Sequence, residues 1–176
     1  MPNLRPERKT PRMKGRPSTL SGHIDGGARG NPGPAGAGIL LEEAGGGREE
    51  IFTYLGSATN NVAEYAALLC LLHRAVERNA AELTVHSDSE LLIKQMLGSY
   101  RVRNPRLQAF HAAARRLMAR IPKVTFRHVP REENREADIL ANRAMDAAAS
   151  SSPLPEEVAR LLDAPVQGLL SLREGV

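Results

Sequence analysis

The chain has no tryptophan, only 3% aromatic residues and a single cysteine, Cys70, among 176 residues. One cysteine excludes a disulfide framework and any cysteine-rich zinc site. So few rings mean that the core is built from Ala, Leu, Val and Ile. No apolar run approaches the ~18 residues that span a bilayer, and the N-terminus lacks the apolar stretch of a secretory leader. A soluble, cytoplasmic protein with no membrane partner is therefore expected. What is present is ordinary globular usage, 41% hydrophobic and 25% charged. That is enough to bury the core of one domain, since domains run roughly 100–200 residues, with tails at either end.

The net charge of +4 is unevenly held. Residues 1–20 contain six basic residues (Arg5, Arg8, Lys9, Arg12, Lys14 and Arg16) against Glu7 alone, a local +5 that leaves −1 for residues 21–176. With Pro2, Pro6, Pro11 and Pro17 and few apolar residues, 1–20 reads as a disordered basic tail. From Leu91 to Arg131 there is no acidic residue, while ten basic ones occur. A basic stretch beside acidic ones suits a polyanion track next to a metal site, although a solvated helix face gives the same pattern.

Residues 21–149 read as the ordered domain. Gly36 to Leu41 and Glu50 to Leu55 form a hairpin across the turn Ala44–Gly47. Val62 to Arg78 is apolar around most of its circumference, which predicts a helix buried against a sheet. Leu83 to His86 is a short strand, Asp88 to Leu97 and Pro105 to Arg120 are helices, Lys123 to Val129 is a strand, and Asn134 to Ala149 is a last helix broken by Ser150–Pro153. The order β-β-β-α-β-α-α-β-α implies an α/β fold, a mixed five-stranded sheet with three antiparallel strands followed by parallel ones, flanked by helices. Residues 150–176 form a C-terminal tail whose Val158, Leu161, Leu162, Leu169, Leu170 and Leu172 suit docking on the domain or on a protein partner.

Four acids stand at element starts. Asp25 opens a Gly-rich loop, Glu64 lies in the first turn of the buried helix, Asp88 follows a strand, and Asp138 is one turn into the final helix. Each position also has an ordinary structural role. Glu64 completes a capping box if Asn61 is the N-cap, Asp88 is itself a plausible N-cap, Asp25 a turn residue and Asp138 a solvated acid. Together they also supply what a hard cation requires, because Mg²⁺ takes oxygen ligands and keeps several waters. The loop Gly26–Gly33 lacks the G-K-[ST] of a Walker loop. Asn31, Thr59, Asn60 and Asn61 add side chains able to bond sugar hydroxyls or phosphates.

D-G-G-A-R-G-N-P-G from Asp25 to Gly33, T-N-N-V-A-E from Thr59 to Glu64, S-D-S from Ser87 to Ser89 and E-E-N-R-E-A-D from Glu132 to Asp138 together resemble the type 1 ribonuclease H family, in the family's order. The resemblance implies a monomeric endonuclease that hydrolyses the RNA strand of an RNA–DNA hybrid with two Mg²⁺ ions, Mn²⁺ being a possible substitute, and leaves 5′-phosphate and 3′-hydroxyl ends. Asp25, Glu64, Asp88 and Asp138 match the family's metal ligands. Asn31, Asn60 and Asn61 match contacts to the RNA 2′-hydroxyls and backbone, and Thr59 a contact to a DNA phosphate. Gly26, Ser89 and Arg131 are also placed at the substrate. His128 occupies the place of the family's mobile histidine, with Arg131 as the alternative. Glu90 replaces a common glutamine, and Leu97 to Pro105 leaves little room for a basic protrusion. A non-catalytic nucleic-acid binder, or another nuclease of the same superfamily, is the competing reading.

Overall fold

The computed structural model describes residues 17–163. The basic residues from Arg5 to Arg16 and the apolar Leu169, Leu170 and Leu172 lie outside them. The elements run β1 (Ser18–Ala28), β2 (Gly33–Glu43), β3 (Gly47–Ala58), α1 (Asn60–Glu77), β4 (Ala80–Ser87), α2 (Glu90–Met96), α3 (Pro105–Met118), β5 (Lys123–His128), α4 (Arg135–Ala147) and α5 (Glu156–Asp163), with a single 3₁₀ turn at Arg131–Glu133. The strands form one sheet in the order β3-β2-β1-β4-β5. β1, β2 and β3 pair antiparallel, and β4 and β5 join in parallel. This is the mixed sheet expected from the element order.

Two features go beyond the sequence reading. The strand β1 already starts at Ser18, ahead of Ser21, and its Leu20 is fully buried in the core. The helix α4 is not the last. Its C-cap Ala148 takes a left-handed conformation, which turns the chain, and a further helix α5 follows within the segment read as a tail. That helix docks on the domain, with Val158 and Leu161 buried in the main core cluster.

The centre of the molecule is α1, eleven of whose 18 residues are buried. Its Ala, Leu and Val surface lies on one face of the sheet, with α3 beside it, and α4 covers the other face. Two glycines set how close these layers come. A side-chain carbon at Gly26 would stand 2.2 Å from the Ala63 carbonyl oxygen of α1, and one at Gly38 would stand 2.1 Å from the Ala137 carbonyl oxygen of α4. Only glycine permits backbone contact at both places. These contacts bring the helix starts that carry Glu64 and Asp138 onto the strand that carries Asp25.

Candidate active site

Strand register assembles the site. In the parallel pairing of β1 with β4, Ile24 lies beside Ser87, so the next residues, Asp25 and Asp88, emerge side by side at the sheet's edge. Asp25 is also paired with Gly38, on the sheet face that α4 covers. Buried Asn134, immediately before α4, donates from Nδ2 to the Ile24 carbonyl at 2.9 Å, tying the start of α4 to β1 and setting Asp138 against Asp25. Glu64 enters from α1, where Ser89 donates to its Oε2 at 2.8 Å.

The structural alternatives for these acids do not hold. The N-cap of α1 is Thr59, whose Oγ1 accepts from Val62 N at 3.2 Å, so Asn61 and Glu64 form no capping box. The N-cap of α2 is Ser89 and not Asp88. Both acids are thereby released from local backbone duty.

Crowding has an electrostatic signature. Burial, the neighbouring charges of Asp88 and Asp138, a hydrogen bond with Asp138 and the charge of Glu64 push the Asp25 carboxyl up to about 8. Burial and the charge of Asp88 raise Glu64 to about 7, against the opposing hydrogen bond from Ser89. Like charges held this close resist ionising together unless a cation joins them. The donor set consists of carboxylate oxygens with no thiolate, which fits Mg²⁺ or Mn²⁺ and not a soft metal.

The polar residues around the acids hold the loops as well as face outward. Asn60 Oδ1 accepts from Ala28 N at 2.9 Å, and Asn31 Oδ1 accepts from Asn60 N at 3.1 Å. Their amide groups are left on the exposed side, and Asn61 is exposed beside them. Gly26 is placed by packing against α1. Exposed His128 stands within 3.2 Å, through Nε2, of the Asp88 carbonyl oxygen. A carbonyl only accepts, so Nε2 carries the hydrogen and Nδ1 the lone pair. Arg131 is exposed on the 3₁₀ turn that leads to α4.

The structure adds residues that the sequence reading missed. Asn142 Nδ2 donates to the backbone oxygen of Asp138 at 2.9 Å and to its Oδ1 at 3.2 Å, one helical turn on, and that i,i+4 spacing is the signal that could have found it. At the start of α1, the helix that carries Glu64, runs a groove of about 430 Å³ lined by Asn31, Pro32, Thr59, Asn61, Asn104 and Arg106, among others. Thr59 caps α1 and Asn104 caps α3, so two helix N-termini meet at this groove. The positive ends of both helix dipoles favour an anion there.

Known proteins resemble this chain in sequence and in fold. A family model described as "Reverse transcriptase-like" matches residues 23–144. A bifunctional protein of Mycobacterium tuberculosis is 41% identical over 140 residues, 78% of this chain, and the chain spans only 38% of that relative's length. The crystal structure of RNase H1 from Halobacterium salinarum superposes with a TM-score of 0.70 at 38% identity, covering 73% of this chain and 98% of that one. LC11-RNase H1, solved in complex with an RNA/DNA hybrid, gives a TM-score of 0.66 at 41% identity, covering 74% of this chain and 99% of that one. On this likeness in sequence and in fold, the chain belongs to the type 1 ribonuclease H family.

Proposed function

We propose that this protein is a ribonuclease H that cuts the RNA strand of RNA–DNA hybrids by metal-dependent hydrolysis, leaving 5′-phosphate and 3′-hydroxyl ends. The observation that carries the reading is the convergence of Asp25, Glu64, Asp88 and Asp138 onto one sheet edge, where burial and their mutual repulsion raise Asp25 to about 8. These four side chains would hold two Mg²⁺ ions, with Mn²⁺ able to substitute, and the chemistry such ions would supply is activation of the attacking water and stabilisation of the leaving 3′ oxygen of an in-line displacement.

The chain's own groups do the rest. Ser89 fixes the Glu64 carboxylate by its 2.8 Å hydrogen bond. Asn142 holds the Asp138 carboxylate, and Asn134 ties the start of its helix to β1 through the Ile24 carbonyl. The amide groups of Asn31, Asn60 and Asn61 meet the RNA 2′-hydroxyls and backbone, the feature that separates RNA from DNA. Thr59 and the groove beside it take a phosphate of the DNA strand, drawn by two helix N-termini. His128, through Nδ1, exchanges a proton near the leaving group, since its Nε2 is held by the Asp88 carbonyl. The hybrid bound to LC11-RNase H1 supports the choice of substrate.

The test is cleavage of a labelled hybrid with Mg²⁺ or Mn²⁺ by the wild type and by Asp88→Asn, with single-stranded RNA, duplex RNA and duplex DNA alongside. Cleavage confined to the RNA strand of the hybrid, and lost in the variant, supports the reading. Hybrid binding without cleavage under either metal points instead to a non-catalytic binder.

A further inference from the structure

Residues 148–163, after α4, pack against the domain. Beyond Ala148 the chain turns onto the exposed edge of β3, where the Phe52 and Tyr54 amides donate to Ser151 Oγ and Ser150 Oγ at 2.9 Å each, and Ser151 N donates to the Phe52 carbonyl at 2.9 Å. Serine side chains thus replace part of a missing strand and cover an edge that would otherwise template pairing. The chain then crosses to α1 and α3 and forms α5. Val158 and Leu161 enter the core. Glu157 is bonded from two sides, to His73 Nε2 of α1 at 3.0 Å and to Arg116 Nη2 of α3 at 2.7 Å.

The far end of α5 reaches the substrate side. Arg106 donates from Nη2 to the Leu162 carbonyl at 2.5 Å. Carbonyls in the last turn of a helix lack intrahelical partners and carry the negative end of its dipole, so they hold a guanidinium well. Arg106 also lines the groove of Thr59 and Asn104, and its Nε is buried with no hydrogen-bond partner among the described residues. The strap lies beyond the family match, which ends at residue 144, yet it holds a cation at the place proposed for a DNA phosphate.

We infer that residues 148–163 are a working part of the substrate groove: α5, through the Leu162 carbonyl, positions the Arg106 guanidinium for a phosphate of the DNA strand. This rests on the proposed ribonuclease H activity. Arg106 is the binding group and Leu162 the positioning residue. None of the four carboxylates lines the groove, so the contact is made equally in the ground and transition states. Its loss therefore raises KM and spares kcat.

The test uses the full chain with Arg106→Ala, Arg106→Lys, Val158→Asp (which expels α5) and the double variant Arg106→Ala/Val158→Asp. Release of α5 is followed by limited proteolysis between Ser150 and Pro155. Val158→Asp and Arg106→Ala are each expected to raise KM for hybrid roughly tenfold, the loss of one charge-assisted hydrogen bond. Their kcat and pH profile stay within about twofold. The double variant is no worse than either single one, and Arg106→Lys recovers part of the affinity. Hybrid binding also loses about one unit of salt dependence in both single variants. Release of α5 with KM unchanged overturns the inference, as does independent addition of the two effects. Should Val158→Asp not fold, Leu161→Ala and Glu157→Gln loosen α5 from two sides, and a KM rise that vanishes in the Arg106→Ala background is then expected. A wild type inert on hybrid defeats the proposed function itself, whereas an active wild type whose KM ignores the strap defeats only this inference.

Discussion

Helix α1 joins two charged clusters built on opposite rules. Near its C-terminus, Arg74 and Arg78 meet Glu49, Glu77 and Glu43, with Arg74 to Glu49 at 2.6 Å and Arg74 to Glu77 at 3.1 Å. Every acid there has a basic partner. Near its N-terminus, Glu64 faces Asp25, Asp88 and Asp138, and the charges that act on Asp25 and Glu64 there are other carboxylates. The first cluster is complete as folded and locks the β2–β3 hairpin to α1. The second has burial and like-charge repulsion acting together on Asp25 and Glu64, the pattern of a place where a fold gives up stability for chemistry.

The sharpest way to break that contrast is at the unmatched cluster. Asp25→Asn, Glu64→Gln, Asp88→Asn or Asp138→Asn is expected to lower hybrid cleavage by at least about 10³, because the ligands act through the charge they hold at the reacting phosphate. Circular dichroism should show the fold unchanged. A variant that keeps more than about a tenth of the wild-type rate would remove that residue from the ligand set.

Next in size is Gly26→Ala. The added carbon would stand 2.2 Å from the Ala63 backbone. Pushing α1 away is expected to cost about 1–3 kcal/mol and to draw Glu64 off the site, so cleavage falls along with the melting temperature. An active variant of unchanged stability would show that the close approach is unnecessary.

The third comparison turns on pH with metal chelated. Asp25 and Glu64 are raised to about 8 and about 7, so the folded chain holds protons that the unfolded chain has already released. The unfolded state then binds fewer protons, and stability falls as pH rises from the ordinary carboxylate range towards 8. Between pH 7 and about 8, thermal melts of the wild type should lose midpoint steadily. Asp25→Asn should flatten the slope, and Mg²⁺ should restore more stability to the wild type than to the variant. Parallel slopes for the two proteins would place the coupled protons elsewhere.

The smallest effect belongs to the matched cluster. Arg78→Ala removes contacts to Glu49 and Glu43 at a partly exposed site. A loss of about 1 kcal/mol is expected in denaturant melts, with kcat and KM for hybrid unchanged. A change in KM would mean that the two ends of α1 are coupled.

The site was largely legible before the fold was seen, because each acid sits in a short local motif beside a strand end or helix start. Asp25 with its glycines, Glu64 after Thr59–Asn61, and Asp88 between two serines all declare themselves within a few residues. The supporting residues do not. Asn134 matters because its amide meets the Ile24 carbonyl, 110 positions away in sequence. Asn104 was not singled out in the sequence; the fold shows it capping α3 and bordering the groove of Thr59. The strap was hidden for a related reason. Ser150–Pro153 reads correctly as a helix break, but pairing with the edge of β3 depends on where that edge lies.

Composition and periodicity were enough to dictate an α/β chain with a buried Ala- and Leu-rich helix, a hairpin and four acids at element starts, since those features follow from local propensity and from side-chain period. Tertiary structure alone decided which cap closes α1, how near the helices stand to β1, that burial and repulsion would lift Asp25 and Glu64, and that α5 would end against Arg106. Those outcomes depend on contacts between residues far apart in the chain, and distance through space is not written in the order of residues.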